Sequence, residues 1–173
     1  MVNQLKINLA CGNNKIEDFY GIDLIKTDAA DISMDLEQYP WDIESECAEE
    51  LMCVHYVEHV TDLIKFMDEA YRILKPEGKF KVIAPYYTSI RCWQDPTHKR
   101  AISEATFLYF NKTWRIANKL EHYGIKCDFD YQYGYDIQND WANREENARN
   151  FAISHYWNVI NDIHVTLVKR KPE

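Results

Sequence analysis

The segment from His55 to His59 carries two histidines and a glutamate at a spacing that can do chemistry. It spells H-x-x-E-H, which on a single helix can place two imidazoles on a zinc ion with the glutamate as a base. His55, however, directly follows an apolar run that ends at Val54, so we expect it to close a strand and lie outside any helix. The shared metal geometry would then fail. We predict no metal site, and zinc binding is the less favoured alternative.

A second group of candidates is the segment Asp95-Pro96-Thr97-His98, within an irregular, aromatic-rich loop from Pro85 to Arg100. Its carboxylate and imidazole could accept a proton from a hydroxyl or an amine. The alternative is structural, with the aspartate capping a turn and the histidine bound to backbone. The sequence leaves both interpretations open. As catalytic bases we rank His98 first, then His59, then Asp95.

The stretch from Lys6 to Leu24 predicts a binding edge for a nucleoside. Lys6 to Leu9 alternates polar and apolar residues as a strand does, and it ends at Ala10-Cys11-Gly12, where a ligand could approach the backbone closely. A second short strand, Tyr20 to Asp23, ends on a carboxylate that can accept hydrogen bonds from both hydroxyls of a ribose. An ordinary strand–helix–strand unit with a surface aspartate is the alternative.

The connection between these two strands is short. Ten residues separate Leu9 from Tyr20, which is near the minimum for a parallel crossover that contains a helix. The first helix is therefore expected to be very short or missing. A dinucleotide-binding turn would have two further glycines, but Gly12 is followed by Asn-Asn-Lys, and Asp23 comes too early for the matching acid. NAD and FAD are disfavoured.

Composition indicates one domain over residues 1–173. A chain of 173 residues with 46% hydrophobic content can bury one substantial core. No apolar run approaches the roughly 20 residues that span a bilayer, and the N-terminus does not resemble a signal peptide, so we expect a cytoplasmic protein without membrane contact. Five cysteines without a CxxC pair predict reduced thiols. The net charge of −8 argues against nucleic acid as a partner.

Periodicity predicts that strands and helices alternate through the rest of the chain. The run from Glu50 to Val54 predicts a buried central strand. Apolar residues at three-and-four spacing from Leu63 to Leu74 predict a helix capped by Thr61. The remaining predicted elements are strands over 30–34, 79–84, 127–135 and 163–168 and helices over 103–110, 112–123 and 144–157.

Five short motifs, in order, carry a family resemblance: LACG after the first strand, GID on the second, MDL on the third, VEHV after the fourth and LKPEG before the fifth. From Lys6 to about Lys169 the chain resembles the class I S-adenosylmethionine-dependent methyltransferases. The resemblance implies an α/β, Rossmann-like fold with a mostly parallel seven-stranded sheet and an antiparallel last strand. It also implies S-adenosyl-L-methionine as the cofactor. The family's turn usually has two or three glycines where this one has Gly12 alone.

The resemblance further implies where the cofactor would bind. The turn would contact its methionine part, Asp23 the ribose, and Asp35 the exocyclic amine of the adenine. Residues at the end of the fourth strand would face the sulfonium and the acceptor. The implied cofactor-binding residues are Leu9, Ala10, Cys11, Gly12, Asp23, Leu24, Asp35, Leu36, Val54 and His55.

The predicted reaction is methyl transfer to an oxygen or nitrogen atom of a small-molecule or sugar-like acceptor. Its pocket would lie between the fourth and fifth strand ends and be lined by Tyr86, Tyr87 and Trp93. Enzymes that methylate nucleic-acid bases would carry Asp-Pro-Pro-Tyr or Asn-Pro-Pro-Tyr after the fourth strand, and this chain does not. The alternative function is a module or partner subunit that binds S-adenosylmethionine or a nucleoside without catalysis. The sequence makes no prediction of oligomeric state.

Overall fold

A single seven-stranded sheet organises the protein, of which the computed structural model describes residues 5–171. The strand order is β3-β2-β1-β4-β5-β7-β6. Strands β1 to β5 are parallel, and β7 is antiparallel to both of its neighbours, which confirms the predicted sheet. The strands are β1 (Leu5–Leu9), β2 (Tyr20–Asp23), β3 (Ile32–Ser33), β4 (Ala48–Val54), β5 (Leu74–Pro85), β6 (Phe129–Ile137) and β7 (Ile160–Lys169).

All the described helices follow β4 in the chain. They are α1 (Leu63–Ile73), α2 (Ile90–Gln94), α3 (Lys112–Ala117), α4 (Asn139–Ala142) and α5 (Glu146–His155), with 3₁₀ segments at Glu104–Phe110 and Glu121–Tyr123. Within the described chain, no helix occurs before α1. The connection between β1 and β2 therefore has no helix, in line with the prediction of a very short or missing one. None of the described helices has the length and apolarity needed to cross a bilayer.

Two helix boundaries differ from the prediction. Asp62, not Thr61, caps α1, because its Oδ1 accepts the amide of Lys65 at 3.0 Å. The helix predicted over 112–123 is broken: α3 ends at Ala117, and Lys119 takes a left-handed backbone with φ 59° that interrupts helical hydrogen bonding. Side-chain and local backbone bonds there outweigh the continuous helical pattern.

The hydrophobic core lies between one face of the sheet and two helical elements, α1 and the 3₁₀ segment Glu104–Phe110. On this face, one row of residues paired across β1, β4, β5 and β7 is buried, namely Leu9, Cys53, Val82 and Val165. These residues belong to the same hydrophobic cluster as the buried side of α1. The adjacent row, Met52, Lys81 and Thr166, points to the opposite face and is half-exposed. The described part of the first three connections contains no helix that could cover that face.

Hydrogen bonds hold the segment from β1 to β3 in place of a helix. Asp31 Oδ2 accepts the Gly21 amide at 2.6 Å and lies 2.9 Å from Lys15 Nζ. The Gly21 amide, and then Lys15, hold the pKa of Asp31 below its ordinary value. The buried apolar residues of this segment outside the strands form a separate small cluster of Cys11, Ala29 and Ala30.

Candidate active site

The turn after β1 contains two residues in the left-handed backbone region that glycine favours. Gly12 has φ +53°, and Ala10 has φ 54° although it carries a side chain. A Cβ built on Gly12 would meet no atom within 4 Å beyond its chain neighbours, so the turn opens onto free space. The side chains of Leu9 and Cys11 are buried, and burial raises the pKa of the Cys11 thiol. These two residues could therefore face a ligand through their backbone only.

Ala10→Gly is expected to stabilise the protein. The left-handed conformation costs an alanine about 1–2 kcal/mol and costs a glycine little, whereas glycine loses roughly 0.5–1 kcal/mol more entropy on folding. The expected net rise in the free energy of unfolding is up to about 1 kcal/mol, measured by urea denaturation. The control is Ala117→Gly on the exposed end of α3, which should lower stability. A loss of stability in both variants would contradict the expectation.

The carboxylate of Asp23 lies at the end of β2, directly beside this turn. Its Oδ2 accepts the Gly12 amide at 2.7 Å, and its Oδ1 accepts the Ile25 amide at 3.1 Å. Each carboxylate oxygen can accept a further hydrogen bond. The side chains of Leu24 and Ile25 are 65% and 67% exposed. The end of β2 thus places an acid next to exposed apolar surface, an arrangement suited to a ribose and its base.

Asp35, which the family resemblance assigns to the adenine, follows β3 and organises a turn. Its Oδ1 accepts the Glu37 amide at 2.9 Å, and its Oδ2 lies 3.4 Å from the side-chain nitrogen of Gln38. The neighbouring Leu36 is buried, and its carbonyl accepts the indole N–H of Trp41 at 3.1 Å. Of Leu36, the amide is therefore the group that could meet a ligand.

His55 leaves β4, beside the half-exposed Val54, with φ 52°, which is uncommon for a residue that has a side chain. Its side chain is 42% exposed and lies between two carboxylates. Nδ1 is 3.6 Å from Glu58 Oε1, and Nε2 is 3.8 Å from Asp162 Oδ2. Glu58, and then Asp162, raise the pKa of the His55 imidazole above its ordinary value. Backbone strain and a perturbed pKa at a strand end are typical of functional sites.

The three predicted bases lie close together, but protein groups already engage them. The His98 side chain is 9% exposed, and its Nδ1 lies 2.9 Å from the carbonyl oxygen of Cys92. Asp95 Oδ1 accepts the hydroxyl of Thr97 at 2.7 Å and its amide at 2.8 Å, and these bonds lower the Asp95 pKa. His59 Nδ1 lies 3.0 Å from the same hydroxyl. This is the geometry of the structural alternative, a turn capped by aspartate with its histidine bound to backbone.

Of the three residues predicted to line the acceptor pocket, one is buried and two are exposed. Tyr86 is buried, its hydroxyl donates to Glu104 at 3.0 Å, and its pKa is raised by burial and by that carboxylate. Tyr87 and Trp93 are exposed, and the Trp93 indole donates to the Tyr87 carbonyl at 3.0 Å. The ring of Trp93 lies 6.4 Å from that of Trp157, which is also exposed. Exposed aromatic rings therefore extend from the strand ends towards α5.

Sequence reasoning missed three residues of this region. Ile25 could have been predicted as a contact for the adenine, because it lies two positions after Asp23 at the end of β2 and the pattern is local. Arg91 and Asp162 form a bond of 2.8 Å between α2 and β7 that orients the carboxylate facing His55. They are 71 positions apart, so no local pattern connects them.

A family model described as "Methyltransferase domain" matches residues 13–82, which run from the turn after β1 into β5. A search of curated proteins gave no significant match.

Solved structures with methyltransferase folds superpose on nearly the whole chain. A SAM-dependent methyltransferase from Archaeoglobus fulgidus matches with a TM-score of 0.66 at 16% identity, over 96% of this chain and 86% of that one. One from Mesorhizobium loti gives 0.60 at 12% identity, over 95% and 90% of the two chains. Phosphoethanolamine N-methyltransferase 2 from Haemonchus contortus, in complex with S-adenosyl-L-methionine, gives 0.52 at 14% identity, over 97% of this chain and 49% of that one. At these identities, the superpositions establish the fold.

Proposed function

We propose that this chain is a class I S-adenosylmethionine-dependent methyltransferase and transfers the methyl group of S-adenosylmethionine to an oxygen or nitrogen of a small-molecule or sugar-like acceptor. The observation that carries the proposal is the pairing of Gly12 with Asp23. A left-handed glycine that faces open space donates its amide, at 2.7 Å, to an acid on the neighbouring strand end. Backbone and carboxylate are thereby held side by side where a nucleoside could bind both.

The residues at these strand ends fit the parts of this cofactor. The turn from Ala10 to Gly12 offers backbone without an obstructing side chain to the methionine moiety. Asp23 has unused acceptor capacity for the ribose hydroxyls, and Leu24 and Ile25 offer apolar surface to the adenine. Bound there, the cofactor supplies a methyl group already activated by its positive sulfur.

On the acceptor side, the protein has mainly to position a nucleophile and keep water away. The exposed rings of Tyr87, Trp93 and Trp157 support an acceptor with an apolar or ring-shaped face. The bond between Arg91 and Asp162 holds α2, and with it Trp93, against the strand end. With α2 held close to the strand end, we expect the space beside Trp93 to suit a small acceptor.

We place the proton-accepting role on His55 rather than on His98. His55 is partly exposed at the end of β4, whereas His98 is almost completely buried and turns Nδ1 towards a carbonyl. His59 and Asp95 are both bound to the Thr97 hydroxyl, and the His59 ring packs edge-on against that of His98 at 4.6 Å, so the protein holds both more closely than the 42% exposed side chain of His55.

The first test is Asp23→Ala, measured by calorimetric titration with S-adenosylmethionine. The change removes charge-assisted hydrogen bonds worth roughly 1.5–3 kcal/mol each, so cofactor affinity should fall at least about tenfold. Asp28→Ala on the same exposed connection is the control and should bind normally. An unchanged dissociation constant in a folded Asp23→Ala protein would refute the ribose assignment.

The second test is turnover. The protein is incubated with methyl-labelled S-adenosylmethionine and fractions of small metabolites, and S-adenosylhomocysteine is measured. We expect product with at least one fraction and much less with Asp23→Ala. Tight binding without product from any fraction would instead favour the module that only binds the cofactor.

A further inference from the structure

Glu58 is a buried acid whose carboxylate accepts no hydrogen bond from any described residue. It is 1% exposed, and neither of its side-chain oxygens has a hydrogen-bond partner among the described residues. Its nearest side-chain nitrogens are His55 Nδ1 at 3.6 Å and His98 Nε2 at 3.9 Å, both beyond hydrogen-bond distance. A carboxylate taken out of water in this way is costly unless a cation or a donor compensates it.

Two imidazoles near Glu58 have their second nitrogen free. The carbonyl of Cys92 can only accept, so the proton of a neutral His98 is on Nδ1, and the Nε2 lone pair is left without a hydrogen bond, 3.9 Å from both Glu58 Oε1 and Asp95 Oδ2. The Thr97 hydroxyl donates to Asp95, so its oxygen accepts from His59 Nδ1 and leaves the His59 Nε2 lone pair free as well. Histidines that bind metals are oriented in this manner by acceptors at their other nitrogen.

We propose that Glu58, His59 and His98 form a site for one divalent transition-metal ion of the zinc class. One ligand atom from each of the three residues lies within 4.8 Å of the others. Around a tetrahedral zinc ion such atoms are about 3.4 Å apart, so closure needs side-chain movements of only about 1 Å. Two imidazoles and one carboxylate suit zinc better than magnesium or calcium, which prefer oxygen ligands.

This site differs from the H-x-x-E-H arrangement on a helix. Residues 57–59 form a turn and no helix covers residues 55–60, so His55 and His59 do not share a helical face, and the second imidazole comes instead from the distant His98. The ion would join the turn after β4 to the turn at Asp95–His98. It would thereby hold the chain directly after α2, the helix that carries Trp93, and the proposal does not depend on the identity of the methyl acceptor.

The experiment uses untagged protein that has been treated with a chelator and dialysed. Zn²⁺ is titrated by calorimetry, and bound metal is counted by elemental analysis. We expect one ion per chain and a higher melting temperature with zinc. Glu58→Gln and His98→Ala should lose stoichiometric binding, whereas the exposed His164→Ala on β7 should keep it.

Thr97→Val keeps all three ligands and removes the group that orients His59. Zinc affinity should fall about 10–100-fold in this variant, which tests the site even if a ligand variant fails to fold. Failure of the parent protein to bind zinc, unchanged binding by a folded Glu58→Gln, or a preference for Mg²⁺ would each overturn the proposal. Because the readout is metal content, a failure here is distinct from a failure of methyl transfer.

Discussion

Gly12→Val should abolish S-adenosylmethionine binding. The Cβ of a valine would project into the open space beside the turn, where the methionine part of the cofactor is proposed to lie. A β-branched residue is also a poor fit at φ +53°, so the Gly12 amide would shift away from Asp23. Both effects act on the same contact, and titration calorimetry should detect no saturable binding.

Gly124→Val is the matched control for this experiment. Gly124 has φ +72°, and a Cβ there would also meet no neighbour, but the residue ends a surface 3₁₀ segment away from the strand ends. Its valine variant carries comparable backbone strain and should bind the cofactor normally. If both variants lose binding together with their circular dichroism signal, strain alone explains the result. Normal binding by a folded Gly12→Val would show that the turn is not the cofactor cradle.

His55→Asn should reduce the rate of methyl transfer by about 10²–10⁴-fold, the usual contribution of a positioned base. Asparagine tolerates the left-handed backbone at this position, so the fold and the course of the chain after β4 should be kept. Cofactor affinity should change much less than the rate, because the lost group acts on the acceptor's proton. The measurements are single-turnover rate, cofactor dissociation constant and melting temperature.

His164→Asn serves as the control, since His164 is exposed on β7 and pairs across the sheet with Ile83. It should retain full activity. A fully active His55→Asn would contradict the assignment to His55. Loss of rate in His98→Ala or His59→Ala, with cofactor affinity retained, would then return the catalytic role to the bases predicted from the sequence.

The first strands of the sheet and the placing of Asp23 beside the turn after β1 could be predicted because their determinants are local. The alternation in β1, the small-residue turn and the acid that ends β2 all lie within Lys6–Leu24. The lack of a helix between β1 and β2 follows from the ten-residue length of that connection. The interruption of the helix over 112–123 was not predicted, because the apolar pattern continues through the left-handed Lys119. The left-handed conformation of one residue, Lys119, leaves no trace in the spacing of the apolar residues, so the sequence pattern could not show where the helix ends.

The surroundings of His55 and His98 could not be predicted in the same way, because their contacts join distant parts of the chain. Whether His98 is a base or a buried, backbone-bound side chain depends on Cys92 and on the turn after β4. The carboxylate facing His55 comes from β7, and Arg91 on α2 orients it. Residue type and spacing identified the loop, and tertiary packing decides which of its side chains reach solvent.

The polar bracing between β1 and β3 affects how this part of the protein opens. Opening the connections around Gly12, Thr27 and Asp31 would break hydrogen bonds such as that of the Thr27 hydroxyl to the Gly12 carbonyl, but would expose little apolar area beyond the small cluster at Cys11. Local opening that exposes little surface has a small heat-capacity change and a weak dependence on denaturant. Such openings are among the lower-energy excursions of a folded chain. The proposed nucleoside-binding edge is therefore expected to loosen and re-form around a ligand while the amides of the central strands stay protected from exchange.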